Sequence, residues 1–510
     1  MIIQKRKNKG IFFSIIMLFL TIWFFHRTII AGTTKPGEPV SKSKSKKTLK
    51  LKKEAIKKIE EMSETLNKAA LDIWEFAEIA LEEHKSTELL ARLMEGNGFK
   101  VQRGTGGLAV AFIATFGEGH PVIGILGEYD ALPGLSQKAG LPSQQPIIEG
   151  SPGHGCGHNL FGVASAGSAI ALKSIMQRHG LKGTIKFFGC PAEETVEGKI
   201  YMSSDGAFKD LDICFDWHPS KNNRVSLKTS NALNNFEVSF RGRTSHAAGD
   251  PWNGRSALDA IELLNHGINY LREHVRPTVR MHYVIPEAGK APNIVPDYAR
   301  GWYYVRGKDR QEVEEVYQRV VKIVQGAALM TDTKQQIRVN TGVYNYLKNK
   351  QVARVLHNNL KFIGPPPFTK EEQEYARKMQ SYLGKKEEGM STKIEPFTDP
   401  QGYIGGGSTD AADVSWQVPT ASLNVACSPL NIPGHSWCVT SASGSSAGLR
   451  GMRTAAKILT CSGIDVLLTP SIIREAWKEF KEKTKGFTYK CAIPKGQKPR
   501  KGGFLSPRGE

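Results

Sequence analysis

The heptapeptide Gly153-His154-Gly155-Cys156-Gly157-His158-Asn159 packs two imidazoles and a thiol into five residues. Glycine on each side of the cysteine lets the backbone bend sharply and lets other groups come close. The triplet Cys156-Gly157-His158 therefore directs two soft donor atoms inward from one tight loop. Three further stretches set a metal-competent side chain beside a residue that stiffens or bends the chain: Pro191-Ala192-Glu193-Glu194, Asp216-Trp217-His218-Pro219 and Pro433-Gly434-His435-Ser436. Neighbouring carboxylates point different ways in a strand or tight turn, so one can bind metal while the other faces substrate. Gly183 to Cys190 reads as a buried strand. Glu193 and Glu194 then follow its C-terminal end, where open α/β sheets keep their sites.

Outward from these motifs, strands alternate with helices, which argues a largely parallel sheet. Helices are expected from the Lys52–Ile73 pattern and over Glu88 to Met94; strands are expected near Val101, over Leu108–Phe112 and over Pro121–Leu126. The last delivers Glu128 and Asp130. The small, apolar run Leu160 to Met176 reads as a helix packed on the sheet. A break near Val225 opens a unit of strand, helix (Ala257 to Leu271), two strands, helix (Arg310 to Gln325) and strand. That β-α-β-β-α-β order is the ferredoxin-like pattern. Further helices are expected over Val352 to Phe362 and Ser443 to Leu459, and Phe368 to Lys393 reads as polar and exposed.

The chain has 510 residues, long enough for two or more full cores, and a formal charge of +20. That charge sits at the ends. Residues 1–53 hold thirteen Lys/Arg against one acid, residues 474–510 eleven against four, and everything between carries only +1. A nearly neutral body disfavours a nucleic-acid function. Lys5, Arg6, Lys7 and Lys9 precede an apolar run from Ile11 to Phe25, the layout of an export signal or an uncleaved anchor. Membrane attachment through this segment, with the body exported to the cell envelope or beyond, is therefore expected. Seven scattered cysteines do not make a disulfide framework.

Seven motifs in order then resemble one family: Gly127-Glu128-Tyr129-Asp130-Ala131-Leu132-Pro133, the Cys-Gly-His-Asn loop, Pro-Ala-Glu-Glu, Ser245-His246-Ala247-Ala248, Ala291-Pro292-Asn293-Ile294-Val295-Pro296, Gly407-Ser408-Thr409-Asp410 and Gly434-His435. The chain resembles the two-metal aminoacylase and carboxypeptidase family over about residues 55 to 470. The closer likeness is to its amidohydrolase branch, with the p-aminobenzoyl-glutamate and auxin-conjugate hydrolases; Asn159 and the Gly-Ser-Thr-Asp stretch lean toward the former.

The resemblance implies an α/β catalytic domain with a mostly parallel sheet, interrupted by a ferredoxin-like α+β lid that often makes a dimer interface. Expected boundaries are an export segment at 1–31, a flexible Lys/Ser-rich tether at 32–53, catalytic parts at 54–228 and 346–472, a lid at 229–345, and a basic extension at 473–510 whose tail is unstructured from Ile493. The resemblance assigns Cys156, His158, Glu194, His218 and His435 to two divalent ions, zinc or manganese. Glu193 becomes the general base, Asp130 the residue orienting a ligand, and His246 an oxyanion donor reaching a partner subunit's site. Asn293 and Arg306 hold substrate. Glu128 stands where the wider family has a histidine. The implied reaction is hydrolysis of an N-acyl amino acid, a p-aminobenzoyl-glutamate-like conjugate or a small dipeptide by metal-activated water, in a homodimer. Two alternatives remain open at this point: a thiol hydrolase using Cys156 with His158 or His218, and a non-catalytic envelope protein.

Overall fold

Alternating apolar runs and amphipathic helices build two sheets in the computed structural model, which describes residues 42–400, 406–494 and 496–499. The strands are β1 (Lys100–Arg103), β2 (Phe112–Glu118), β3 (Val122–Glu128), β4 (Gly183–Cys190), β5 (Ile213–Ser220), β6 (Arg224–Ser226), β7 (Ala232–Arg241), β8 (Arg280–Glu287), β9 (Tyr298–Gly307), β10 (Lys334–Val343) and β11 (Thr420–Ala426). Seven of them form the larger sheet in the order β1-β2-β4-β3-β5-β11-β6. The central pairs β4/β3, β3/β5 and β5/β11 are parallel; the marginal pairs are antiparallel.

Every residue of β3 is buried, as a strand covered on both faces requires. Ile123 and Ile125 enter one apolar cluster, Val122 and Leu126 the other, so the alternation of the strand feeds two cores. The helices are α1 (Lys42–Glu61), α2 (Ser63–Phe76), α3 (His84–Gly96), α4 (His158–His179), α5 (Gly198–Ser204), α6 (Ala257–Leu271), α7 (Arg310–Thr331), α8 (Lys350–Ile363), α9 (Lys370–Tyr382), α10 (Ala411–Ser415), α11 (Trp437–Ser443), α12 (Ser446–Leu468) and α13 (Ser471–Lys483). Among single helices of the described residues, α4 alone is long and apolar enough to cross a membrane, and it is buried in the core against the larger sheet.

The second sheet runs β10-β7-β9-β8 and is wholly antiparallel. Phe236, Val238 and Phe240 of β7 share a core with Ile261 and Leu264 of α6 and Val316 and Val320 of α7. Asp309 starts α7 by accepting the Glu312 backbone N–H, satisfying a donor the helix leaves free. The order β7-α6-β8-β9-α7-β10 is the one read from the sequence.

Four expectations need correction. The tether does not run to residue 53, because α1 begins at Lys42. Leu51, Ala55 and Ile59, four residues apart, are buried, and Lys52 Nζ bonds Asp465 at 2.7 Å and Asn359 at 2.8 Å. Lysine favours helix, so the helix docked by this stripe extends back through the basic run. Leu108–Ala111 is not strand: Gly104, Gly106 and Gly107 all take positive φ, and the tight turn they make delays β2 until Phe112. Phe368–Lys393 is not simply exposed. A Thr369–Glu372 capping box opens α9, which buries Ala376 and Met379.

Finally, the chain beyond α13 is not free from Ile493. Ile493 is buried, Tyr489 Oη donates to Asp413 Oδ1 at 2.7 Å, and Gln497 donates to the Val339 carbonyl at 2.5 Å. Aromatic residues at Phe487 and Tyr489 dock a segment whose composition is otherwise polar. The export segment at 1–31 and the first part of the tether lie outside the described residues.

Candidate metal centre

The parallel strands bring their C-terminal ends to one place. There β3 ends at Glu128 with Asp130 two residues on, β4 leads into the Glu193-Glu194 turn, and β5 carries His218. His158 is the first residue of α4, and His435 arrives on the loop after β11. The packing of α4 on β3 depends on Gly162: a Cβ there would lie 2.7 Å from the Glu128 carbonyl. With only hydrogen at that point, the helix comes close enough for His158 to meet Asp130.

The donors form two groups that share one sulfur. Cys156, His158 and His218 offer donor atoms all within 4.8 Å of one another, and so do Cys156, Glu194 and His435. Backbone and carboxylate partners orient the two buried imidazoles. His158 Nδ1 lies 2.7 Å from Asp130 Oδ1, and the other oxygen of that carboxylate accepts the Glu194 N–H at 2.8 Å. His218 Nδ1 lies 2.6 Å from the Pro219 carbonyl, which can only accept, so Nδ1 carries the hydrogen. Its Nε2 lone pair then faces Cys156 Sγ at 3.4 Å. Such outer partners orient metal-binding imidazoles and raise their basicity.

Glu128 Oε2, His158 Nε2, Glu194 Oε1 and Asp216 Oδ1 are buried without a hydrogen-bond partner. Buried polar atoms are rarely left so, and this group, nearly all acceptors, is what a cation would satisfy. Thiolate, imidazole and carboxylate together suit zinc; the carboxylate share also admits manganese.

Burial dominates the acid–base behaviour. It pushes Glu193 up to about 7 and Glu194 up to about 8. Burial also raises Asp130, but His158 beside it outweighs that and holds the carboxyl below its usual range. Burial pushes the Cys156 thiol up, and burial with His158 nearby takes His218 down to about 3.

Glu128, Cys156, Glu193, Glu194, Asp216, His218 and His435 line a cavity of about 530 Å³ that Arg306 also lines. Arg306 donates to Ser408 Oγ at 2.9 Å, is mostly buried, and has no ion pair among the described residues. His246 and Asn293 lie elsewhere, on two exposed lid loops, one after β7 and one between β8 and β9, joined by a bridge between His246 and Ile294. The N–H groups of Ala248 and Gly249 donate to His246 Nδ1 at 3.2 and 3.0 Å, leaving Nε2 as the hydrogen donor. Three residues were given no site role by sequence reasoning: Glu128, Lys199 and Asp410. Lys199 Nζ sits 2.6 Å from both Glu128 Oε1 and Asp410 Oδ1, and all three are buried. Asp410 closes the Gly-Ser-Thr-Asp motif, whereas nothing marks Lys199 in the sequence.

Comparison with known proteins places this geometry. The family described as "Peptidase dimerisation domain" of the M20 group matches residues 230–331. The chain is 36% identical over 455 residues to one of the two kinds of p-aminobenzoyl-glutamate hydrolase chain of Escherichia coli (strain K12), covering 84% of this chain and 94% of that protein. The chain belongs to the M20 family. It is also 31% identical over 462 residues to the Xaa-Arg dipeptidase of Mus musculus, covering 88% of this chain and 96% of that one. A Bacillus subtilis structure described as a dinuclear metal-binding peptidase from the M20 family shares the fold, with a TM-score of 0.51 at 18% identity, over 80% of this chain and 99% of that one. As an M20 member the protein is a metal-dependent hydrolase of amide bonds. The non-catalytic and thiol-hydrolase alternatives therefore fall.

Proposed function

We propose that this M20 enzyme uses two divalent ions to release an amino acid with an acidic or neutral side chain from an N-acyl or p-aminobenzoyl-glutamate-like conjugate. One observation carries the reading: the Cys156 sulfur belongs to two donor groups beside the cavity that Arg306 also lines. Cys156, His158 and His218 would hold one ion, and Cys156, Glu194 and His435 the other. Bound ions of this kind polarise a carbonyl and lower the pKa of water. Glu193, buried and pushed up to about 7, is poised to take a proton near neutral pH and return it to the leaving amine. Arg306 receives the substrate carboxylate.

The cavity wall favours an acidic or neutral released residue over a basic one. Arg224, Lys228 and Arg306 line it, while its acids, Glu128, Glu193, Glu194 and Asp216, accompany the metal donors. An arginine side chain on the released residue would meet the cations Arg224, Lys228 and Arg306; a glutamate side chain would be welcome. Metal-stripped enzyme reconstituted with Zn²⁺ or Mn²⁺ should cleave N-acyl-glutamate at least tenfold better, by kcat/KM, than N-acyl-arginine. The opposite preference would overturn the substrate reading, and activity surviving chelation would overturn the two-ion one.

His246, with Nε2 free to donate, completes this reading only from a second copy docked through the lid. Mixing His246→Ala with Glu193→Gln should then restore activity that neither has alone. Export with membrane attachment through residues 1–31 remains our reading of the basic and apolar run; recovery of full-length protein in the soluble cytoplasmic fraction would refute it.

A further inference from the structure

The face of the lid sheet that carries Arg306 continues outward into a second cluster of cations. β8 is the edge strand, and its register sets Arg280 directly opposite Arg306 and His282 opposite Tyr304. Arg306 and Tyr304 line the cavity beside the donor groups. Met281 and Val305, the pair between them, turn into the lid core. Alternation therefore leaves Arg280 and His282 exposed on the other face, the one that Arg306 shares. Like charges directly opposite one another across a strand pair are destabilising, so this pairing calls for an anion.

The protein supplies no such anion among the described residues. Arg272, Arg276, Arg280 and His282 line a pocket of about 830 Å³, and no acid is among its lining residues. Arg272 Nη2 donates to the Met281 carbonyl at 2.9 Å; Arg280 Nη1 donates to the Val279 carbonyl at 2.7 Å and to the Pro277 carbonyl. Carbonyls aim these guanidinium groups without neutralising them, and none of the three arginines has an ion pair among the described residues. Glu273, beside Arg272 in the chain, does not line the pocket. Glu312 is already held by the Thr278 hydroxyl at 2.8 Å and the Lys308 N–H at 2.7 Å. Burial, and then the charges of Arg306, Arg272 and Arg280, hold His282 below its usual range, so one imidazole feels both clusters.

We propose that Arg272, Arg280 and His282 form an outer anion subsite, continuous with Arg306, for a leaving portion that carries more than one carboxylate. An acidic dipeptide or oligopeptide released from its acyl group is the simplest such ligand. Arg306 holds the first carboxylate, and the outer guanidinium groups take the next ones through charge-assisted pairs. Neighbouring strands lie about 4.8 Å apart, so the step from Arg306 to Arg280 is roughly one to two residues of extended peptide. The inference rests on the reading of Arg306 as the carboxylate grip, and it extends the substrate class from single amino acids to acidic peptides.

The test gives metal-reconstituted full-chain enzyme N-benzoyl-glutamate, N-benzoyl-glutamyl-γ-glutamate, and the latter with both carboxylates of its second residue amidated. Release of benzoate is read for each. Wild type should cleave the charged dipeptide conjugate roughly tenfold better, by kcat/KM, than its amidated twin, with the difference in KM. Arg280→Gln and Arg272→Gln should each cut that ratio by about threefold, and the double variant should bring it near one. Thermal unfolding is the folding control. If Arg272→Gln, which loses its bond to the Met281 carbonyl, does not fold, Arg280→Gln decides alone. A wild-type ratio near one would overturn the proposal, and so would variants that keep the wild-type ratio. Inorganic phosphate separates a substrate subsite from a site for a free anion. It should raise KM for the charged dipeptide conjugate more in wild type than in the double variant. A phosphate effect on kcat for all three substrates, abolished in the double variant, would make the cluster a free-anion site and overturn the subsite. Cleavage of N-benzoyl-arginine with N-benzoyl-glutamate left intact would sink the Arg306 reading itself. That result is distinct from a wild type that cleaves N-benzoyl-glutamate and ignores the charge of a second residue.

Discussion

Asp130 joins His158 to the Glu193-Glu194 turn: one carboxylate oxygen lies 2.7 Å from His158 Nδ1, and the other accepts the Glu194 N–H at 2.8 Å. Asparagine keeps that shape but offers only one accepting oxygen, so one of the two donors would face an amide NH₂. Asp130→Asn should therefore weaken metal binding by about ten- to a hundredfold without unfolding the protein. Chelator competition measures this, and unchanged affinity would make Asp130 a packing residue.

Arg306 provides a second test. Its guanidinium is largely buried on the cavity wall and donates to a hydroxyl, Ser408 Oγ. A charge-assisted hydrogen bond to a substrate carboxylate contributes about 1.5 to 3 kcal/mol, or roughly ten- to a hundredfold in binding. Arg306→Ala should raise KM by that factor for carboxylate-bearing substrates and much less for the matching amides. Equal effects on acid and amide would remove Arg306 from substrate binding.

Asp413 makes the pH dependence of stability testable away from the metal centre. It is buried under the C-terminal segment, bonded by the Tyr344 N–H at 2.9 Å and by Tyr489 Oη at 2.7 Å. Burial, partly offset by these bonds, pushes its carboxyl up to about 7. An unfolded aspartate ionises near pH ~3.9, so the folded state holds the proton more tightly. The resulting stability is complete below about pH 4 and is lost as pH rises to about 7. At ~1.4 kcal/mol per pH unit the loss is on the order of 4 kcal/mol. Asp413→Asn has no proton to lose there. Urea unfolding should show this variant gaining on wild type between about pH 4 and pH 7. A difference that does not vary with pH would mean Asp413 is ionised throughout.

The sequence shows an element where its pattern is local. Phe236, Val238 and Phe240 alternate cleanly, so β7 and the lid order are legible. The candidate site is legible through Cys156-Gly157-His158 and Glu193-Glu194, because glycine and proline announce the turns that carry them. What is not legible depends on distant partners. Lys199 is 211 residues from Asp410, and an isolated lysine in sequence looks like any surface cation. Tyr489 and Ile493 look like parts of a polar tail until Asp413 and the core around Tyr346 are set beside them. His246 and Asn293 have motif signals but stand on two exposed lid loops, outside the cavity of their own chain.

The adjacent glutamates separate ligand from base most sharply. Glu193 and Glu194 follow the same strand, and burial raises both carboxyls, so neither composition nor acidity distinguishes them. Position does. Glu194 shares a donor group with Cys156 and His435, lying 3.6 Å from His435 Nε2, and its backbone is pinned by Asp130. Glu193 stands 3.9 Å from His158 Nε2 and faces the cavity. Replacing Glu194 by glutamine removes an anionic ligand and should lower metal content. Replacing Glu193 by glutamine keeps its shape and abolishes its basicity. Metal should then stay at the wild-type level while turnover falls by roughly 10² to 10⁴. Elemental analysis of both purified variants, read beside their rates, decides the assignment. Metal loss in Glu193→Gln with full occupancy in Glu194→Gln would reverse the roles. Wild-type rates in both would show that neither glutamate serves the hydrolysis.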